Sequence, residues 1–470
     1  MVLFQPFRGY VYNPSEIRAH GALLTAPPYD VLTPEERERY YQGSEHNFLH
    51  VDLGRVLASD SDGMAWHARA ATLLSKWLKD GVLVRTERPS FYLVDTLYTH
   101  PLSGHKVTRH GLLGLMRLEH PGKDANIRLH EQTFSFHRME RLDLMLKTQA
   151  QLSPIFGFFP DRGDLCLKSL KGLASGRSPD IFIKEPGGDE HRVYLLNKPE
   201  DIALLSGALA DNTVYIADGH HRYMTALSYR DEIKKKLQEE GAPPPPLGSA
   251  LDYVMTYLSP MGDPGLSVLP THRILKHSGL TNDEIISRIK PYAEIRAVTF
   301  NDGGRRYAVD RLLNKLQEDA KKGLTVFGLF LKDADYCSFI KIKEKVKEQI
   351  VKDAPEKSSL SLLDVSILTS VILKKALSLT EECMDDPDCI SYISRVDEAL
   401  NHVDRGDRAA FILNPTSLSD ILKVTESGYV MPRKATYFYP KVRNGLVINV
   451  VNPEEVVEGT VSLEGEASAC

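Results

Sequence analysis

The clearest change of hydrophobic period in the chain falls between residues 214 and 237. Val214, Tyr215 and Ile216 form a short β-branched and aromatic run, which predicts a buried strand. Asp218-Gly219 breaks that run. From His221 onward, Tyr223, Ala226, Leu227, Ile233 and Leu237 recur at helical spacing, and Lys234, Lys235 and Lys236 face water. A strand therefore turns sharply into a helix, with Asp218, Gly219, His220, His221 and Arg222 packed into the turn.

Elsewhere the same two periods alternate. Thr33-Pro34-Glu35-Glu36 starts a helix, with Thr33 as cap and Pro34 at its first position. Alternation over 46–54 predicts a strand, and Trp66, Leu73, Leu74 and Trp77 predict a helix over 64–80. Strands are expected at 90–98 and 108–119, joined as a hairpin with a longer loop. A helix with Leu142, Met145 and Leu146 inward ends before Ser153-Pro154, and a strand follows at 155–160. A strand pair fills 161–200, with a helix starting at Pro199. Beyond the turn come a strand at 253–258, helices at 281–291 and 306–322, and strands at 294–299, 324–331 and 338–342. Residues 359–404 read as helical, and a strand at 409–413 leads to a helix at 417–426.

At 470 residues the chain is long enough for two or three structural units. A net charge of −5 argues against bulk binding of nucleic acid or an anionic membrane, so neither partner is expected. No run of about 18 apolar residues predicts a membrane span, and Met1-Val-Leu-Phe-Gln-Pro lacks the pattern of a signal peptide. Five scattered cysteines offer no second close pair to complete a zinc site beside Cys383 and Cys389. Free thiols in a reducing, cytoplasmic setting are the expectation. A homodimer is allowed.

The chemistry concentrates in the 218–222 turn. A helix N-terminus favours an anion, and glycine lets a phosphate approach the backbone. Arg222 adds a forked donor suited to phosphate oxygens. Adjacent histidines diverge, so His220 and His221 together do not make a metal site. Asp218 calls for a metal or a proton to carry. His130-Glu131 precedes a helix and is a second candidate, either catalytic or with Glu131 as a helix cap near Thr133. Arg433 and Lys434, near Thr436, and Lys441 form a third, suited to an anion. Thr271-His272-Arg273 repeats the hydroxyl, imidazole and guanidinium theme, and Asp30 is a further carboxylate. No phosphate-binding loop of the Gly-x-x-x-x-Gly-Lys type, nucleophile elbow or dinucleotide fingerprint is present.

Six ordered motifs carry a resemblance: Ala26-Pro-Pro-Tyr-Asp-Val, Asn47-Phe48, His130-Glu131-Gln-Thr, Ile216-Ala-Asp-Gly-His-His-Arg-Tyr, Leu269-Pro-Thr-His-Arg and Met431-Pro-Arg-Lys-Ala-Thr-Tyr-Phe-Tyr-Pro-Lys. Together they resemble the prokaryotic family catalogued as domain of unknown function 1015. More distantly, Gly219-x-x-Arg222 with Ala226 behind it is similar to the signature of the ParB/sulfiredoxin superfamily. Members of that superfamily contact nucleotide phosphates with this signature, and one branch with an Asp-Gly-His-His-Arg version phosphorylates free L-serine.

The resemblance implies an α/β (α+β) fold, with a mixed-sheet ParB/sulfiredoxin-like core and elaborated N- and C-terminal α/β regions. The expected division is 1–160, a core at 161–300, a C-terminal α/β and helical region at 301–450, and a disordered tail at 451–470. The implied activity is a small-molecule kinase using ATP or ADP with Mg²⁺ on free L-serine or a related hydroxy amino acid. Glu131, Asp218 and His220 would be catalytic, with Asp218 holding Mg²⁺. Gly219, His221, Arg222, Thr271, His272, Arg273, Arg433, Lys434 and Lys441 would hold the nucleotide or substrate. A non-catalytic nucleotide switch, and a phosphatase or nuclease working through Asp218, His220 and His130, stay open as alternatives.

Overall fold

A computed structural model describes residues 2–58, 60, 65–122, 125–131, 135–301 and 303–457. It is a mixed α/β (α+β) structure, as the fold class expected, and it divides into two compact units. The first comprises Met1–Leu129, Thr133–Leu266 and Pro440–Cys470; the second comprises His130–Gln132 and Ser267–Tyr439. The tail from 458 and Thr133, near which Glu131 was expected to cap a helix, lie outside the described residues.

The first unit is built on a nine-stranded sheet. Its central strands are Val214–Asp218, Ile155–Phe159, Tyr253–Pro260, Lys106–Arg117 and Phe91–Thr99, in that spatial order. Ile155–Phe159 runs parallel to Tyr253–Pro260 and antiparallel to Val214–Asp218. These strands are nearly continuous in apolar residues because helices cover them: Phe91, Leu112, Ile155, Ile216 and Val254 share one core with Tyr223, Ala226 and Leu227 of the helix His220–Glu239. That shared core fixes the helix start directly beyond the Val214–Asp218 strand. The helix Ser135–Thr148 packs alongside His220–Glu239.

The second unit holds a six-stranded antiparallel sheet in the order Ala293–Thr299, Tyr336–Ile342, Val326–Leu331, Ala409–Ile412, His272–Leu275, Ile390–Ile393. Its core gathers Ile274, Leu312, Phe330 and Ile412. Ser267–Leu269 pairs separately with Tyr437–Tyr439.

Four expectations need correction. The alternation over 46–54 is not a strand: Leu49–Asp52 is a short helix, started by the Asn47 side chain accepting from the Leu49 amide at 2.9 Å. Leu49, Val51 and Asp52 are all buried there, so the alternation did not separate two faces. The segment after 160 first forms a helix, Leu165–Ala174, before its strand pair Ile181–Lys184 and Glu190–Leu196. The helical stretch 359–404 is interrupted by the strand Ile390–Ile393, which takes the sheet edge beside His272–Leu275. Cys383 and Cys389 are not free thiols. The short helix Glu381–Asp385 and the turn after it bring their Cα atoms to 5.3 Å, and they form a disulfide.

Candidate functional site

In the first unit the strand-to-helix turn is laid out as its sequence predicts. Gly219 adopts φ +89°, a left-handed conformation that L side chains rarely take, and it caps the 20-residue helix that follows. A Cβ at Gly219 would sit 3.2 Å from the Arg222 guanidinium. Gly219 thus lets the chain turn and leaves room for Arg222. Gly219→Ala should lower stability by about 1–2 kcal/mol, read as a drop in melting temperature.

The guanidinium of Arg222 donates to Asp218 Oδ2 at 2.7 Å and to the Pro154 carbonyl at 2.5 Å. The ammonium of Lys441 donates to the other Asp218 oxygen. Two cations thus converge on one carboxylate, and this trio carries a net positive charge at the start of a long helix. Burial alone would raise the Asp218 pKa; Lys441 and then Arg222 outweigh it and hold the carboxyl well below the usual carboxylate range. Burial pushes His220 down to about 3; Asp218 opposes this, while His221, Lys441 and Arg222 add to it. At neutral pH His220 is therefore an uncharged imidazole beside an ionised carboxylate.

Asp218 was the expected Mg²⁺ ligand, yet each of its two oxygens accepts from a cation. Among the described residues no group of three His, Cys, Asp or Glu side chains could hold a metal ion. With a cation on each oxygen of Asp218 the local charge is already positive, which disfavours a further protein-held cation such as Mg²⁺ there. The chemistry of these residues is that of an anion cradle.

Lys441 is aimed by a residue that sequence reasoning missed. Arg109 is 1% exposed, donates to the Pro440 carbonyl and to Tyr257 Oη, and lies over the Phe156 ring at 4.7 Å. It anchors the backbone just before Lys441. Tyr29, Asp52, Arg141 and Thr225 were also given no role. Tyr29 lies in the Ala26-Pro-Pro-Tyr-Asp-Val motif, and Asp52 falls within the expected strand at 46–54. Asp30 is exposed.

In the second unit, the Glu131 carboxylate accepts from the Lys434 amide at 3.3 Å, and Glu131 bridges to Met431. His130 is buried and shares a hydrogen bond of 3.0 Å with Thr436. Lys434 has φ +53°, a strained value for a lysine. Its carbonyl accepts from Arg273 at 3.3 Å. Arg273 is buried and stacks 5.2 Å over Tyr392. Arg433 pairs with Asp385 inside the disulfide loop. Thr271, His272 and Arg273 each keep one buried polar atom without a hydrogen-bond partner among the described residues: Oγ1, Nε2 and Nε. The 433–441 constellation is thus divided, with Lys441 in the first unit and Arg433 and Lys434 in the second.

His272 is held at about 3, by burial first and by Arg273 second, against an ordinary value of 6.5. Folded His272 stays neutral between those values while the unfolded chain takes up a proton. Stability should therefore fall as pH drops from 6.5 towards 3, by up to about 1.4 kcal/mol per pH unit for such a group. Denaturant titrations at pH 7 and pH 5 check this, and His272→Asn should reduce the dependence while leaving the share of His220.

Residues 4–366 match the family model described as "Protein of unknown function (DUF1015)". No curated protein matches the chain. Several solved structures are similar at low identity, among them the following three. A conserved hypothetical protein from Pyrococcus furiosus aligns at 16% identity and TM-score 0.30, covering 71% of this chain and 95% of that one. A free serine kinase in complex with AMP aligns at 16% identity and TM-score 0.31, covering 71% and 91%. SbnI with a C-terminal truncation from Staphylococcus aureus aligns at 10% identity and TM-score 0.32, covering 72% and 87%. Among the described residues no helix is long and apolar enough to cross a membrane.

Proposed function

We propose that this chain, which belongs to the DUF1015 family, is a nucleotide-dependent kinase that phosphorylates free L-serine or a related hydroxy amino acid. The observation that carries the reading is the convergence of Arg222 and Lys441 on Asp218 at the Gly219 turn. Phosphoryl transfer needs positioning and charge stabilisation more than covalent chemistry. Gly219 admits a phosphate of ATP or ADP to the backbone. Arg222 and Lys441 supply the positive charge, and Asp218 holds both in place before the anion arrives, so little reorganisation is needed when it binds. His220, a neutral imidazole, and His221 beside it donate to phosphate oxygens. We assign Glu131 as the carboxylate that accepts the hydroxyl proton. Thr271, His272, Arg273, Arg433 and Lys434 supply polar groups to an anionic part of the nucleotide or substrate.

A non-catalytic nucleotide switch is the second reading. It is favoured by one feature of the turn: both oxygens of Asp218, its carboxylate, are already committed to cations. Incubating the pure chain with labelled ATP or ADP and an amino-acid panel separates the readings. Label on serine supports the kinase. Nucleotide binding without transfer supports the switch, and phosphate release without transfer would point to a hydrolase.

A further inference from the structure

We infer that a small cavity in the first unit, with Arg222 in its wall, is the pocket for a free amino acid, held by Arg141 at its carboxylate and Asp52 at its ammonium. This rests on the kinase reading for the chemistry performed there, and it adds the residues that recognise the acceptor.

The cavity is lined by Asp52, Arg141, Thr225 and Arg222 among mostly apolar neighbours, and all belong to the first unit. Arg141 and Asp52 are buried, with side chains 7% and 4% exposed. Arg141 Nη1 donates to the Asp52 carbonyl at 2.9 Å and to its Oδ1 at 3.3 Å. The guanidinium lies 3.7 Å over the Tyr29 ring. Its Nε and Nη2 have no hydrogen-bond partner among the described residues. The remaining ionic contact of Nη2, to Glu140, is 3.6 Å, beyond hydrogen-bond reach. A buried guanidinium ordinarily spends all its donors. Here the Nε–Nη2 edge, the edge that grips a carboxylate with two parallel bonds, is left unspent.

Asp52 faces the same cavity. Its Oδ1 accepts from Arg141 and Ser153 and its Oδ2 from Asn444. A carboxylate offers about four lone-pair sites, so there is room for an ammonium. Thr225 Oγ1 is a third buried group with no partner among the described residues, and its residue is 3% exposed. Gln151, also in the wall, spends its amide on the Tyr253 carbonyl and the Met255 amide. The unspent groups are therefore a guanidinium edge, a carboxylate lone pair and a hydroxyl. A neutral base would leave both the guanidinium edge and the carboxylate lone pair unused, and a hydroxy acid would use only the Arg141 edge. An amino acid matches both, and a polar side chain would reach Thr225.

Calorimetry on the full chain, with and without ADP, tests this with L-serine, ethanolamine and 3-hydroxypropanoate. L-Serine should bind at least about tenfold tighter than either truncated probe, each of which lacks one charge-assisted contact. Arg141→Gln should erase the advantage over ethanolamine, and Asp52→Asn the advantage over 3-hydroxypropanoate. ADP affinity should fall by less than the amino-acid selectivity does in both variants, since neither residue belongs to the phosphate cradle. Equal binding of all three probes by the wild-type chain would overturn the pocket, and that arm needs no variant to fold. So would failure of L-serine, glycine and L-threonine alike, or selectivity unchanged in folded variants. If ADP does not bind while L-serine is still selected, the nucleotide reading fails and the pocket stands. If ADP binds and no amino acid does, the pocket alone fails.

Discussion

Glu131→Gln is expected to lower kcat by about 10²–10⁴-fold, the usual share of a general base, with KM little changed. The isostere makes this a clean test. Glu131 accepts from the Lys434 amide, and the Gln amide oxygen can keep that bond. The strained Lys434 and the contact of its carbonyl with Arg273 should then survive. What disappears is the capacity to take a proton at neutral pH. A purely structural Glu131 would leave turnover near the wild-type rate, with at most a small fall in melting temperature. Wild-type turnover by the Gln variant would sink the base assignment, and exposed Asp30 would be the next carboxylate to test.

Arg222→Ala is expected to cost nucleotide binding about tenfold to over a hundredfold, the equivalent of roughly 1.5–3 kcal/mol for a charge-assisted donor. The loss has two parts. The forked donor itself goes, and Asp218 is left facing Lys441 alone, so the trio loses its net positive charge. Arg222→Lys should fall between wild type and Ala. It restores the charge but cannot reach both Asp218 and the Pro154 carbonyl with a planar fork. The side chain of Arg222 is 15% exposed and sits in the first turn of the helix His220–Glu239, outside the shared core, so the fold should persist. Calorimetry with ADP at matched ionic strength decides it, with circular dichroism as the control. Unchanged affinity would remove the turn from the nucleotide site.

Much of this protein was legible one segment at a time. The change of period at Asp218-Gly219, the glycine at a left-handed position and the charged residues packed around it are local features. Local sterics and amide geometry are enough to turn such a stretch from strand to helix. The same holds for the hairpin Phe91–Thr99 with Lys106–Arg117 and for the alternating strands and helices after 281, where apolar spacing matches one buried face. Segments 46–54 and 390–393 failed because burial and sheet pairing, rather than their own periods, decided them. Asn47 starts a helix in the first, and the exposed edge at His272–Leu275 recruits the second.

What only the tertiary structure decided is which distant groups meet. Lys441 reaches Asp218 across 223 positions, and Arg109 anchors Pro440 across 331. Lys441 thus parts from Arg433 and Lys434, although all three lie within a few residues of one another. The pairing of Cys383 with Cys389 and of Asp52 with Arg141 likewise depends on where helices and turns come to rest. The sequence alone determined the phosphate-type turn, because its conformation and charge are properties of nine consecutive residues, 214–222. The tertiary structure decided what that charge is set against. Long-range ion pairs follow from strand order and helix packing, and a local pattern carries no information about either.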